Sequence, residues 1–353
     1  MADEKKFLFS CLQCEGDRLP QPIERNTGRY VRWGEDNAYP QYLWQLYLNN
    51  AVLGSIINSI ADFVCGDAII NGETKANEDG ETMSDVIRKV AFDLNIFGGF
   101  ALQVLRNIRG DVSEVYVLDF RKVRVNDTCT IVTYNSKFGS FGMNSANNVE
   151  LPVFDANNPV PNSVFYFKGY KTRDAYPIPP YHSAIKQVET GIRIGNFHLN
   201  AIKNGLSSNY LINFNGGQPT EEVRKEIERK LVEKFTGDEA TGRPMISWNK
   251  NKDTAVTIEK IPQDDFDKKY EALAKDTLNA ICVAMRCAPV LIGMNPEGTG
   301  FNSTEYKELY TIFNKTTIEP LQRQILGALK KIFGYDVVTI VPYNIANEIK
   351  EGE

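Results

Sequence analysis

The chain has 353 residues, with 40 basic against 45 acidic side chains and a formal net charge of −5. Hydrophobic residues make up 42% of the sequence and charged residues 24%, a globular composition that excludes a disordered or collagen-like chain. The acidic balance argues against a protein that coats nucleic acid through a basic face. At roughly 150 residues per domain, the length predicts about two domains.

The sequence predicts free thiols and no membrane segment. The apolar run at residues 7–11 is too short for a signal sequence, and no run approaches the ~18 apolar residues of a spanning helix. The six cysteines have no framework spacing, so we expect a reducing, cytosolic setting. Cys11 and Cys14 form a lone C-x-x-C, which lacks the second pair that a zinc site needs.

Motifs of nucleotide-binding and hydrolytic enzymes are missing from the sequence. It has no G-x-x-x-x-G-K-[ST], no G-x-S-x-G and no H-E-x-x-H. A nuclease or nucleotidyltransferase using Asp111, Asp119 or Asp264 is one alternative, but it needs at least two carboxylates converging on a metal. The spacing shows no such convergence, so we expect a protein without catalytic activity, cofactor or metal.

The first half predicts a mixed α+β domain that ends near residue 180. A strand, a turn and a helix occupy residues 30–50, and an amphipathic helix follows at 53–64. Ser84 is the expected cap of a third helix, which Gly98 and Gly99 end. A hairpin with its turn at 109–111 comes next. Its strands are 100–106 and 114–118, and shorter strands are expected at 123–125, 130–134 and 164–167.

The second half predicts two long helices on either side of a small α/β insert. The first, 183–205, is interrupted at Gly195, and the second follows Pro262. Asn302 is the expected cap of a last long helix, which Pro320 bends. Between the long helices, strands at 210–214, 245–248 and 256–261 and a charged helix at 219–235 form the insert; the last strand is 337–341.

In this order, the segments resemble the portal proteins of tailed bacteriophages, of the siphovirus type. The opening Trp33-Gly-Glu-Asp-Asn37 with Tyr39-Pro40 is similar to the start of portals from this branch. The other matching stretches are Leu94–Arg106 with Gly110-Asp-Val and Leu118–Val125; Tyr176–Ile185 through Phe197–Gly205; and Ala288–Gly293 with Asn302–Glu305 and Ile318–Gln322. Two departures are Phe97-Gly98-Gly99, where the family has a small-polar step, and the short chain after Phe333, which leaves room for only a minimal crown.

The resemblance implies an α+β portal fold with named parts. The expected parts are an N-terminal arm at 1–29, a wing at 30–181, stem helices at 182–205 and 263–287, a clip at 206–262, a tunnel loop at 288–302, a long bent helix at 303–333 and a C-terminal strand and polar tail at 334–353. The C-terminal strand would return to the wing, so one domain would be interrupted and then resumed.

The resemblance also implies a function without catalysis. Twelve copies would form a ring at one capsid vertex, pass double-stranded DNA during packaging and ejection, and dock terminase and later head-completion or tail adaptor proteins. The ring would contact the major capsid protein, belong to the virion and assemble in the host cytoplasm. A capsid or neck adaptor without a channel remains the main alternative.

Three groups of residues would carry that function. The stem would pack through Ile185, Val188, Ile192, Leu273, Ile281 and Met285, and the tunnel loop would offer weak, sequence-independent contacts from Asn295, Glu297, Thr299 and Asn302. The clip would dock partners through Glu221, Glu222, Lys225, Glu228 and Arg229, although for any single one of these residues an ordinary solvated helix with paired charges is the favoured explanation. Lys186, Arg193 and Lys203 either offset DNA charge or lie along the helix surface.

Overall fold

The computed structural model describes most of the chain outside its ends and the insert. The described residues are 19–140, 144–169, 174–203, 211–214, 220–223, 225–226, 245–248, 264–294 and 303–343, with the backbone alone for 200–203, 211–214, 245–248, 264–269 and 303.

Helices and strands alternate along these ranges. The helices are α1 (Tyr39–Asn49), α2 (Ala51–Cys65), α3 (Met83–Phe97), α4 (Ile185–Lys203), α5 (Asp264–Met285), α6 (Ser303–Phe313) and α7 (Glu319–Phe333). The strands are β1 (Glu24–Asn26), β2 (Val31–Trp33), β3 (Ala68–Ile70), β4 (Gly99–Arg106), β5 (Val112–Val117), β6 (Val123–Val125), β7 (Ile131–Tyr134), β8 (Val149–Pro152), β9 (Asn162–Lys168), β10 (Leu211–Phe214), β11 (Met245–Trp248) and β12 (Thr339–Val341). The mixture of helices and strands agrees with the α+β class.

The chain divides into two compact units, each built from separated segments. The first unit takes the described residues up to Gln45, then Val64–Pro179 and Leu321–Tyr343. The second takes Leu46–Phe63 and the described residues of Pro180–Pro320. The division passes within α1 and within α2, between Pro179 and Pro180, and near the start of α7, most of which belongs to the first unit.

Helix α3 shows how local sequence sets element ends in the first unit. The hydroxyl of Thr82 accepts a hydrogen bond from the backbone N–H of Asp85, and the Asp85 carboxylate accepts one from the N–H of Thr82, which closes a capping box. The prediction of Ser84 as the cap is therefore wrong by two residues. Gly98 ends the helix at φ 84°, as the sequence predicts, and its N–H donates to the carbonyl of Leu94.

Two three-stranded antiparallel sheets form the centre of the first unit. One has the order β5-β4-β9 and the other β6-β7-β8. The expected hairpin is confirmed by the pairing of Leu102 with Val117. A carbon at the Cβ position of Gly99 would lie 2.5 Å from the carbonyl oxygen of Phe167, so only glycine fits where β4 meets β9.

A buried arginine holds the segment between β2 and α1 in the first unit. Within the described residues, the Arg124 guanidinium donates to the side-chain and main-chain oxygens of Asn37, at 2.6 and 2.7 Å, and to the carbonyls of Arg121 and Val123. All these acceptors are neutral, and burial lowers the Arg124 pKa to about 10. Asn37 itself has φ 62° and accepts a hydrogen bond from the N–H of Trp33. The Trp33–Asn37 motif is thus a hydrogen-bonded turn whose two end residues are buried.

The last strand pairs with a strand from the first fifth of the chain. In the antiparallel ribbon β3–β12, Thr339 faces Ile70, and Val341 faces Ala68. Gly66 precedes this ribbon, where a Cβ would lie 2.1 Å from the carbonyl oxygen of Val341. The C-terminal strand therefore completes a unit that begins before residue 46.

A π-helical turn interrupts the last long helix just before Pro320. Asn314–Ile318 separates α6 from α7, and Pro320 is the second residue of α7. Proline has no N–H to donate to the carbonyl four residues earlier, and a wider turn accommodates that loss. Within the first unit, Gln322 is buried and its amide donates to the carbonyl of Val64, 3.0 Å away.

In the described residues, no single helix has the length and hydropathy of a membrane span. Helices α1 and α2, bent by 96° at their junction, reach those values of length and composition only when counted together.

Candidate assembly and channel surfaces

Helices α4 and α5, which cover the two segments predicted to be the stem, pack against each other in the second unit. Four of the six predicted packing residues are buried within this unit: Ile185, Val188, Ile281 and Met285. Ile192 is half-buried. Leu273 is 42% exposed. Its packing role remains a prediction, which requires a contact with a surface outside this chain.

The two helices and the start of α2 come close together at Gly191. A carbon at its Cβ position would lie 2.8 Å from the amide nitrogen of Asn50 and 3.2 Å from the methyl group of Thr277. The Asn50 amide donates to the carbonyl of Val188, 3.0 Å away, and its side-chain oxygen accepts from the N–H of Leu53. A buried polar contact thus sets the register of α4 against α2 and α5.

The helix pair leaves apolar side chains uncovered on its other faces. Val283 on α5 is 78% exposed, and Phe197 and Leu199 on α4 are about half exposed at 49% each. The Phe197 ring stacks on Tyr270 with 4.8 Å between ring centroids, so an aromatic pair ties the two helices at this level. Phe197 and Val283 lie outside the stripe chosen from sequence. An apolar residue out of phase with a buried stripe is the signal that could have identified them.

Charged residues on α4 lie on its solvent-exposed surface. Lys186 is exposed, and Arg193 is 3.8 Å from Glu189 in an open i,i+4 pair, which contributes little stability. The side chain of Lys203 lies outside the described residues.

The tunnel-loop residues Asn295, Glu297, Thr299 and Asn302 all lie outside the described residues. The structure does describe how the chain enters this loop. A short 3-10 turn, Pro289–Ile292, follows α5 and ends at Gly293 with φ 77°. Glu305, expected three residues after a helix cap, lies in the first turn of α6.

The predicted clip is described only in part. Strands β10 and β11 pair in parallel, with Leu211 beside Met245. A parallel pair requires a crossover between its strands, which fits the expected strand–helix–strand insert. Of the predicted docking residues, Glu221, Glu222 and Lys225 are exposed, with Lys225 3.1 Å from Glu221, and Glu228 and Arg229 lie outside the described residues.

Two of the three aspartates that a nuclease or nucleotidyltransferase would use, Asp111 and Asp119, form hydrogen bonds within the first unit. Asp119 makes two 2.8 Å hydrogen bonds with Arg121 and a 3.1 Å ion pair with Lys122. Asp111 lies in the turn between β4 and β5, where its backbone N–H bonds Asn107. Among the described residues, no three His, Cys, Asp or Glu side chains are grouped as a metal site requires.

Half-buried Asp93 is the most perturbed carboxyl group near these residues. Burial, with a smaller contribution from the Asp119 charge, raises the pKa of Asp93 well above its usual range. The nearby Arg121 guanidinium opposes that rise and lies over the Trp44 ring at 4.6 Å. Asp93, Asp119, Arg121 and Trp44 all belong to the first unit.

Comparison with known proteins supplies the context for these surfaces. The model of the family described as phage portal protein matches residues 73–342. No curated protein sequence matches the chain.

Solved structures share the fold at low sequence identity. A chain from the virion of a native gene transfer agent particle is 17% identical with a TM-score of 0.58, covering 91% of this chain and 87% of that one. A chain from the neck of an empty particle, computed with C6 symmetry, is 16% identical with a TM-score of 0.60 over the same shares. A chain from the neck of a native particle, computed with C12 symmetry, is 16% identical with a TM-score of 0.55, covering 87% and 84%.

Proposed function

The chain belongs to the phage portal protein family, and we propose on that basis that it forms a ring of identical copies at one capsid vertex. The ring is a channel for double-stranded DNA during packaging and ejection. It docks terminase first and head-completion or tail adaptor proteins later, and it contacts the major capsid protein. Its place is the virion, after assembly in the host cytoplasm, and its role is structural without catalysis.

The exposed apolar surface of the stem helices is the observation that carries this proposal. The buried seam between α4 and α5 is satisfied within one chain, yet Leu273, Val283 and Leu199 remain uncovered. Apolar side chains grouped on one helix pair favour burial against another protein surface. Neighbouring copies in a ring would provide that surface, and the C12 symmetry of the related neck supports twelve copies.

The mild acidity of the chain supports a conduit over a DNA clamp. Each lysine or arginine contact with phosphate adds salt-dependent affinity, which would slow DNA that has to move through the ring. A copy with a net charge of −5 has no general excess of such contacts to offer. We assign the lumen to the tunnel loop at 288–302 and partner docking to the clip at 206–262. The wing is 30–181 with the C-terminal strand, the stem is 182–205 with 263–287, and the bent helix is 303–333.

Imaging of the purified protein tests this function directly. Negative-stain electron microscopy and mass photometry are expected to show closed rings with a central hole and a mass of about twelve chains. Single chains at every concentration would refute the ring. A closed assembly without an open passage would instead favour the adaptor alternative.

A further inference from the structure

The hairpin formed by β1 and β2 carries three exposed arginines. Arg25 and Arg32 are directly opposite each other across the ribbon, and Arg29 lies in the turn between the strands. In the described ranges, no ion pair or hydrogen bond involves any of these three guanidinium groups. Like charges at opposed positions of an antiparallel pair destabilise it, so the ribbon gains stability from an anion that neutralises them.

A second segment of the first unit packs beside this turn and adds a fourth cation. The rings of Tyr30 and Phe138 meet edge to face, with 5.1 Å between their centroids. Arg29 directly precedes Tyr30, and Lys137 directly precedes Phe138. Lys137 is exposed, and its ammonium group forms no ion pair with another described residue. The four cations therefore belong to two segments in contact, the β1–β2 ribbon and the loop at 135–140.

Buried contacts hold both segments in place. The Glu24 carboxylate, on the face of β1 opposite to the arginine pair, accepts hydrogen bonds from the backbone N–H groups of Ala175 and Tyr176, at 2.9 and 2.8 Å. In the loop, the Phe138 ring lies 4.8 Å from the guanidinium of buried Arg124. The exposed cations are thus displayed on a fixed backbone, which lowers the entropy cost of binding a ligand.

The composition of the turn and the loop favours the phosphate backbone of a nucleic acid over a protein. Their exposed residues include neither a carboxylate nor a large apolar side chain: Asn26, Thr27, Gly28, Arg29, Ser136, Lys137, Gly139 and Ser140. Protein interfaces have an apolar centre, whereas most contacts to DNA run from arginine, lysine and small polar side chains to phosphate and sugar. Arginine in particular directs two parallel N–H donors at two phosphate oxygens.

The apolar and acidic groups of the ribbon lie away from this surface. Ile23, 46% exposed, is at the open end of the ribbon, at the opposite end from the turn. The exposed carboxylates at residues 35 and 36 follow the same open end. The Asp127 carboxylate accepts a hydrogen bond from Asn26, whose side chain is on the other face of β1 from the arginine pair by strand alternation.

We propose that Arg25, Arg29, Arg32 and Lys137 bind the phosphate backbone of double-stranded DNA without regard to its sequence. The inference rests on the proposed function, which brings DNA to the ring, and it adds a DNA contact made by the first unit. Contacts to phosphate hold DNA in place, so we assign this surface to packaged DNA outside the channel and not to the segment that moves through it. A net charge of −5 is compatible with such a patch, because exposed charges act over only about 10 Å at 0.1 M salt.

Binding of a DNA duplex to the full chain tests the proposal. The variant is Arg25→Gln with Arg32→Gln. Fluorescence anisotropy of a labelled duplex of about 30 base pairs, between about 50 and 200 mM salt, gives the Kd and its salt dependence. Loss of two phosphate contacts is expected to raise the Kd at least about tenfold at low salt and to reduce the slope of log K against log salt by about 2. A second duplex of unrelated sequence is expected to show the same loss.

The matched control removes the same charge at two other exposed arginines of the first unit. Arg109→Gln with Arg323→Gln is expected to bind the duplex like the unmodified chain. Thermal melts check that each variant is folded. Arg29→Gln, in the turn, replaces the double substitution if that substitution lowers the melting temperature, and it is expected to reduce the salt slope by about 1.

Each other outcome overturns a specific statement. A Kd equal to that of the control refutes the arginine contact with DNA. Loss of affinity for only one of the two duplexes refutes binding to the backbone alone. Unchanged duplex binding with lost binding of a poly-glutamate peptide would assign the arginines to an acidic protein instead. Absence of rings from the unmodified chain in mass photometry refutes the proposed function, and the duplex titration reports on the arginines separately from that result.

Discussion

The side-chain amide of Asn50 donates a hydrogen bond to the main-chain carbonyl of Val188, and so joins the start of α2 to α4 across 138 residues of sequence. The same side chain accepts the N–H of Leu53, which caps α2. One buried residue thus satisfies both a helix end and an interhelix contact.

Replacing Asn50 should destabilise the second unit. Asn50→Ala loses a cap and leaves the Val188 carbonyl without its partner, so we expect a loss of about 1–3 kcal/mol in unfolding free energy. Urea denaturation followed by circular dichroism measures it. The exposed Asn279→Ala, on α5, serves as control, and an equal effect of the two substitutions would contradict the role of Asn50.

Two glycines of α4 should respond oppositely to alanine. Gly191→Ala brings a methyl group within 2.8 Å of the Asn50 amide, and we expect it to cost about 1–3 kcal/mol. Gly195 has nothing within 4 Å of its Cβ position, so Gly195→Ala should stabilise by about 0.5–1 kcal/mol through helix propensity. Thermal melts of the two variants and of the unmodified chain make the comparison. A melting temperature of Gly195→Ala below that of the unmodified chain would contradict the difference in packing between the two glycines.

Neighbouring positions on α5 should separate folding from assembly. Ile281 is fully buried, so Ile281→Asp places an unpaired charge in the core and should cost more than about 3 kcal/mol. Val283 is 78% exposed, so Val283→Asp should leave the melting temperature within about 1 °C and still reduce ring formation. Size-exclusion chromatography with thermal melts makes the comparison. Normal rings from Val283→Asp would show that α5 contributes no interface here.

The raised pKa of Asp93 gives a prediction with a definite sign. Over a range of pH the folded chain keeps the proton of Asp93 although the unfolded chain has lost it. The Asp93 carboxyl therefore lowers the free energy of unfolding as the pH rises above about 4, the ordinary pKa of an aspartate. Asp93→Asn removes that cost. Its stability relative to the unmodified chain should therefore increase between pH 4 and pH 7.

Denaturation curves at several pH values give the difference directly. Asp79→Asn, at an exposed carboxyl of the same unit, is the matched control. A stability difference for Asp93→Asn that does not change with pH would mean that its carboxyl is not penalised by burial.

Periodicity and backbone constraints were enough to predict several elements of the fold. The buried stripe of α3 and its end at Gly98 follow from spacing and from the need for positive φ. The β4–β5 turn at Gly110 follows from the same requirement. These features depend on a few neighbouring residues, and sequence reports such local effects well.

Features set by distant partners could not be predicted in the same way. The cap of α3 is an exception, because Thr82 and its partner Asp85 are only three residues apart and form a local motif that the choice of Ser84 overlooked. Strand β8 exposes most of its side chains and has no alternating pattern, so it gave no signal. The buried site of Arg124 depends on Asn37, 87 residues away.

The candidate site was predictable in outline only. Sequence identified the two stem helices, but the exposure of Leu273 and Val283 depends on which side of α5 meets α4. The arginine pair on β1–β2 was invisible without strand register, since Arg25 and Arg32 are seven positions apart.

The pairing of β3 with β12 has a consequence for synthesis on the ribosome. Ile70 cannot pair until Thr339 has been synthesised, about 270 residues later. Synthesis of that stretch takes roughly 15–50 s at ordinary rates of elongation. During that time β3 is an unpaired strand end, open to wrong partners. The second unit, encoded almost wholly inside that interval, can fold first, and the first unit closes only when the final strand emerges.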